Sequence, residues 1–173
     1  MAQEGLGFHF DLSAGIIPVD SQTGAMTGKR VSLKNAGGVS IVVFKAVGTA
    51  NDDPVLTLKQ YTASSSGTTA NLAIIDHYYL KDAALLAGTE TWSKVTQAAA
   101  ATITDPGGAG TSAEHQQILV IPVRAVQLSD GFKYVGLDIA DTGSAGAQLI
   151  SCLYILHELA IQRTPANLAA ALS

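Results

Sequence analysis

The sequence predicts an all-β protein: one β-sandwich or jelly-roll-like domain across residues 1–173, with extended termini. Three observations carry that prediction. Apolar and polar residues alternate with a period of two over many short stretches. Clusters of Gly, Asn, Asp, Pro and Ser cut the chain between those stretches. No internal repeat and no linker separates one part from another, which fits one sandwich.

The elements follow in chain order. Residues 6–13 alternate, with Leu6, Phe8, Phe10 and Leu12 on one side. Pro18 and the stretch SQTGAMTG (21–28) read as a loop. Residues 29–33 form a half-buried strand, and Asn35-Ala36-Gly37-Gly38 reads as a hairpin turn. Residues 39–47 are β-branched and nearly continuous, the pattern of a central strand covered on both faces. Asn51-Asp52-Asp53-Pro54 is a turn, followed by a strand over 55–61 with Leu56 and Leu58 on one side. SSSGTTA (64–70) is a polar loop. Residues 78–81 and 92–97 are short strands, and DPGGAGTS (105–112) is a loop. Residues 117–124 are a strongly apolar strand in which Pro122 calls for an edge position or a bulge. Ser129-Asp130-Gly131 turns the chain into a strand over 132–140. Residues 148–161 fit a strand or a helix by apolar content. The alternation Ile150, Cys152, Tyr154, Leu156 favours a long strand. The tail TPANLAAALS (164–173) reads as a short helix or an arm, and residues 1–7 as a second arm.

Only 14% of residues are charged and 6% aromatic, while 47% are hydrophobic. Typical domains carry about 25% charge. The apolar content argues against disorder. The net charge of −4 argues against dedicated nucleic-acid binding. A single Cys excludes a disulfide scaffold and points to synthesis in a reducing compartment. The start MAQEGLGFHF has neither the basic nor the apolar region of a signal peptide. The longest strongly apolar run, residues 149–156, is far short of the ~20 residues of a membrane helix. A surface so poor in Lys, Arg, Asp and Glu suits a protein packed against copies of itself or a partner.

Asp141-Thr142-Gly143 after an apolar strand, followed by Ser144-Ala145, is how aspartic proteases present a catalytic carboxylate. The supporting apolar-apolar-Gly element is missing, because no Gly follows Gly146. A turn between strands is the better reading. His9, His77, His115 and His157 lie far apart without ligand spacing. Asp76–His77 and His157–Glu158 are neighbours that a strand would point to opposite faces. Asn51-Asp52-Asp53 supplies too few oxygens for Ca²⁺. The segment 24–30 (GAMTGKR) is one residue short of a phosphate loop, and Arg30 stands where Ser or Thr should bind Mg²⁺. Cys152 reads as an inert core thiol. Phe8, Phe10, Tyr61, Tyr78, Tyr79, Trp92, Phe132, Tyr134 and Tyr154 are scattered, which reads as core; only Lys133 beside Tyr134 resembles a stacking platform. The residues therefore assign no catalytic, cofactor-binding or metal site.

Seven segments carry a resemblance: FDLSAGIIPV (10–19), GVSIVVFKAVGTANDDPVLTLKQYTA (38–63), DHYYLK (76–81), ETWSKVTQ (90–97), DPGGAGTSAEHQQILVIPV (105–123), LSDGFKYVGLDIADTG (128–143) and YILHELAIQRTPANLAA (154–170). Together they cover most of the chain. It resembles the small structural proteins of tailed bacteriophages encoded beside the major capsid protein. The resemblance implies a head decoration, or cement, protein without enzymatic activity. Its expected partners are the major capsid protein and copies of itself, with a trimer favoured. Neither nucleic acid, membrane nor cofactor is expected. The implied location is the capsid surface of the virion, after synthesis in the host bacterial cytoplasm. Three alternatives share the fold or its motifs: a tail, head–tail connector or fibre-base protein; a carbohydrate-binding β-sandwich; and the protease suggested by Asp141.

Overall fold

A computed structural model describes residues 5–107, 113–143 and 146–172. Eleven strands occupy most of them: β1 (Phe10–Asp20), β2 (Val31–Ser32), β3 (Ala36–Lys45), β4 (Val55–Tyr61), β5 (Thr69–Asn71), β6 (Ile75–Ala83), β7 (Ser93–Ala100), β8 (Thr102–Thr104), β9 (Gln116–Arg124), β10 (Tyr134–Ile139) and β11 (Leu149–Leu159). Two three-residue 3₁₀ turns, Ala125–Gln127 and Pro165–Asn167, are the described helical segments.

The pairing follows one logic. β1 pairs β11, β2 pairs β10, β3 pairs β9 and β4 pairs β5, all antiparallel. The chain is thus one long antiparallel hairpin doubled back on itself. Two further pairings, β11 with β3 and β10 with β4, roll it up. The result is two sheets, β1-β11-β3-β9 and β2-β10-β4-β5, the winding of a jelly roll. The β6–β7 hairpin is inserted before β9 and extends the first sheet to six strands. β8 pairs the first half of β4, where β5 has not yet begun.

The core lies between the sheets. Ile41, Val43, Leu119, Ile121, Cys152 and Leu156 of the six-stranded sheet are buried with Leu56, Leu58, Val135, Leu137 and Ile139 of the other. Tyr154 joins them, and the Leu137 N–H donates to its Oη at 3.0 Å. That hydroxyl satisfies a backbone donor across the core, so it is buried without an unmet polar group.

Several strand readings are corrected. β1 begins at Phe10 and runs through Pro18 to Asp20. Pro18 is tolerated because β1 is an edge strand, irregular between Ala14 and Val19, and owes no donor there. Residues 35–38 are not a hairpin turn, since β2 and β3 lie in different sheets and β3 starts at Ala36. Gly38 is needed by close approach instead: a Cβ there would stand 2.6 Å from the Val123 carbonyl oxygen and 2.7 Å from the His157 ring. Pro122 lies in an interior strand, but β6 pairs β9 only from Gln116 to Val120. Beyond that point the side facing β6 is unpaired, so the missing N–H costs nothing. β3 is central, as its sequence predicts, yet it is covered on one face only. β5 takes the end of the predicted 64–70 loop, and the rest of the 105–112 loop after Gly107 lies outside the described residues. The 148–161 segment is the strand β11.

Candidate interaction face

Adjacent strands in register place their outward side chains in rows. Across the outer face of the six-stranded sheet, one row reads Ala14, Leu153, Val42, Val120, Tyr79, Lys94. The row on one side is Leu12, Ile155, Ser40, Pro122, and on the other Ser151, Phe44, Ile118, Lys81. No Asp or Glu occupies these rows. Cations enter only at the β6–β7 side, through Lys81 and Lys94. Leu12 is 45% exposed, Phe44 50% and Leu153 40%. Tyr79, Trp92, Leu149 and Ile17 are exposed around them.

Five strands at ~4.8 Å spacing and six residues of strand length at ~3.4 Å give roughly 500 Å² for the face. That is more than half of the ~800 Å² each partner gives to a standard interface.

The order of residues at the end of β3 shows how the sheet is set. Phe44 points out, half exposed, while Lys45 points in and is 2% exposed. Slipping the strand by one residue would reverse both. The register is held instead by a polar inner row: Ile150, Lys45, Gln117, Asp82. Lys45 Nζ donates to the carbonyl of His115 at 2.7 Å and more weakly to those of Ala46 and Ala113. Gln117 Nε2 donates to Asp82 Oδ1 at 2.8 Å and to the Pro106 carbonyl at 2.7 Å. His115 Nδ1 lies 2.7 Å from Asp82 Oδ2. Burial lowers the Lys45 ammonium to a pKa of about 8, against the raising effect of Asp82, Asp53 and Glu114.

The sheet edges are guarded against open-ended strand addition. β1 carries Pro18 and two register shifts. β7 is irregular where Ile75 and His77 face Ala100 and Thr96. β5 and β8 are three residues each, and the β2 edge gives its Ser32 N–H to the Ala171 carbonyl.

The motifs weighed from sequence find other places. Asp141 is exposed and its Oδ1 accepts the Gly143 N–H at 3.0 Å, a turn closed on itself. Thr142 is buried, its Oγ1 2.8 Å from Ser21 Oγ, which also donates to Gln148. Gln22 donates to Asp52 Oδ2 at 2.8 Å, so Asn51-Asp52-Asp53 helps knot the loops at this end of the sandwich. The segment 24–30 runs beside β10, with Met26 bridging Ile139. Arg30 stacks over the Tyr61 ring at 4.0 Å and donates to the Ala63 and Ser66 carbonyls. Cys152 is buried in the core, its thiol pushed up to about 12 by desolvation.

Two neighbour pairs expected on opposite faces do approach. His77 Nδ1 lies 2.6 Å from Asp76 Oδ1, where a bulge breaks the alternation. His157 Nδ1 lies 4.0 Å from Glu158, whose φ of 54° turns it back. The hydrogen bond from His77 holds the Asp76 carboxyl below its usual range. Among the described residues no three His, Cys, Asp or Glu side chains converge as a metal site. The aromatics are not all core: Tyr61, Tyr78 and Tyr154 are buried, while Tyr79 and Trp92 join Phe44 on the open face.

Fold and face together define a jelly-roll sandwich with one bare apolar sheet. Compared with protein-family models, curated proteins and solved structures, the chain matches none.

Proposed function

We propose that this protein is a non-enzymatic structural component of a tailed-bacteriophage virion, a decoration protein that sits on the outside of the capsid lattice and stabilises it. The observation that carries the reading is the exposed outer face of the six-stranded sheet, with no carboxylate in its three rows. Water-exposed Leu12, Phe44 and Leu153 have a reason to be there if another protein covers them. The low charge of the whole chain and the resemblance of its segments to phage head proteins support the same reading.

The size of the face favours clustered copies. Roughly 500 Å² is small for a stable pairwise interface. Three copies present about 1,500 Å² to the shell, and linked sites bind far more tightly than one. The proposed partners are the major capsid protein and copies of this chain, a trimer favoured, at the virion surface after synthesis in the host cytoplasm.

Copy number and position in purified particles test this. Gel densitometry and electron microscopy should find hundreds of copies spread over the lattice. A few copies at one vertex, or along a tail, would make it a connector or tail protein instead. A second reading has its own observation, since Phe44, Tyr79 and Trp92 are exposed aromatics of the kind that stack on sugar rings. Glycan-array binding lost in Trp92→Ala, with no attachment to shells, would favour it.

A further inference from the structure

The C-terminal segment leaves β11 and crosses the open seam between β1, the edge of one sheet, and β2, the edge of the other. The Ala160 N–H donates to the Asn35 carbonyl at 2.9 Å, and two further backbone hydrogen bonds hook residues 163–172. The Arg163 N–H donates to the Gly7 carbonyl at 3.0 Å, and the Ser32 N–H to the Ala171 carbonyl at 2.8 Å. Between the hooks almost everything is exposed; only Leu168 and Ala171 are half-buried. A cavity of about 80 Å³ lies on one side of the segment, walled by Leu156, Leu159, Ile161 and Leu168. An open cleft of about 480 Å³ lies on the other, walled by Ser13, Lys29, Arg30, Ser64 and Ala170. A segment with few buried contacts and two end hooks sits at the low-stability end of the molecule.

We propose that residues 163–172 form an exchange strap, which closes the β1–β2 seam of its own subunit in the isolated chain and the same seam of a second copy in the assembled protein. The occupant is this segment and no other, because the seam already fits it. Exchange replaces each contact with an identical one from the neighbour and therefore has little to overcome. Reach decides whether it is feasible. The twelve residues 160–171 span up to ~40 Å when extended. The radius of gyration of a 173-residue domain is about 16 Å, so a released strap clears its own subunit. Pro165 keeps the preceding residue extended and the departure stiff. The two facing edges, Ser32 and Gly7, are main-chain partners that any copy offers equally.

The proposal rests on the assembly reading only for the presence of a second copy, and its test needs no shell. Ser32→Cys and Ala171→Cys are made separately and together. Residues bonded across neighbouring strands are close enough for a disulfide, and Cys152 is buried away from oxidant. The separate variants are mixed at high concentration, oxidised and run on a denaturing gel without reductant. Exchange predicts a two-subunit band that requires both variants, and a chain shortened to residues 1–162 that loses its oligomer by light scattering. A double variant that closes only within its own subunit at every concentration, with no mixed band, would overturn the proposal. So would an oligomer unchanged by the truncation. A mixed band from a protein that never attaches to shells would keep the strap and remove the capsid reading.

Discussion

The two sheets of the sandwich bury similar inner faces and present opposite outer ones. On the five-stranded sheet the outward rows are Thr57 with Asp138, Lys59 with Gly136, and Tyr61 with Tyr134. Lys59 pairs with Asp138 at 2.7 Å, and Arg30 lies over Tyr61. That face is half-buried beside the 24–30 segment, with its charge paired. The six-stranded sheet has Leu12, Leu153, Val42, Val120 and Phe44 in the same structural position, and no carboxylate among them. Both faces belong to one domain of one composition, so the low overall charge does not explain the contrast. The faces differ in how charge is met: Lys59 is paired with Asp138 on one sheet, while Lys81 and Lys94 on the other stand at the β6–β7 side with no carboxylate in their rows.

The comparison can be broken in several ways, the largest effect first. The inner faces should be equivalent. Ile41→Ala and Leu58→Ala, both fully buried, should each cost about 2–5 kcal/mol in urea unfolding. A large difference between them would mean the sheets do not share one core.

The outer faces should differ sharply. Leu153→Glu places a carboxylate at the centre of the apolar row. Covering it without a partner costs several kcal/mol, so attachment to shells should weaken at least ~100-fold with the thermal midpoint almost unchanged. Thr69→Glu on the polar sheet should leave attachment within about twofold. Equal losses would remove the distinction.

A smaller effect concerns Lys45, the charge that the six-stranded sheet turns inward. Its folded pKa of about 8 lies below the unfolded value of 10.5. The folded state therefore sheds the proton first, and stability rises with pH across that interval. Between pH 7 and 9 the gain, reduced by solvent screening near the loops, should be about 1 kcal/mol. Lys45→Met should flatten that slope. Above pH 10 the tyrosines reverse the trend, because burial raises Tyr61, Tyr78 and Tyr154 and the folded state then resists ionisation.

The smallest change is on the polar side. Tyr61 is 3% exposed and its Oη is buried without a hydrogen-bond partner among the described residues. Tyr61→Phe removes an unmet polar group. It should leave stability unchanged or raise it by up to about 1 kcal/mol, whereas a loss of that size would mean the hydroxyl is satisfied.

Much of the fold was legible because burial in a sandwich imposes a period of two. β4 falls on its predicted residues and β11 was rightly favoured as strand, since Ile150, Cys152, Tyr154 and Leu156 had to share a face. β1 was cut short because Pro18 normally ends a strand, and only the sheet order shows it lying on an edge. Gly37 and Gly38 suggested a turn, but the crowding of β3 against β9 and β11 demands them. The face was half legible. Residues 39–47, apolar at every other position and again between them, read as a strand covered twice. One cover is the opposite sheet; the other face is open. Register across five strands, which no single segment reveals, is what gathers Ala14, Leu153, Val42, Val120 and Tyr79 into one row.

The central claim is that this row is an interface and the opposite sheet is not. Maleimide labelling of Phe44→Cys and Thr69→Cys tests it directly, in free protein and on purified particles, with Cys152 buried and silent. Both positions should label readily in free protein. On particles, the thiol at position 44 should be protected at least tenfold and the thiol at position 69 should react as before. Equal labelling of both on particles, or protection at position 69 alone, would contradict the account.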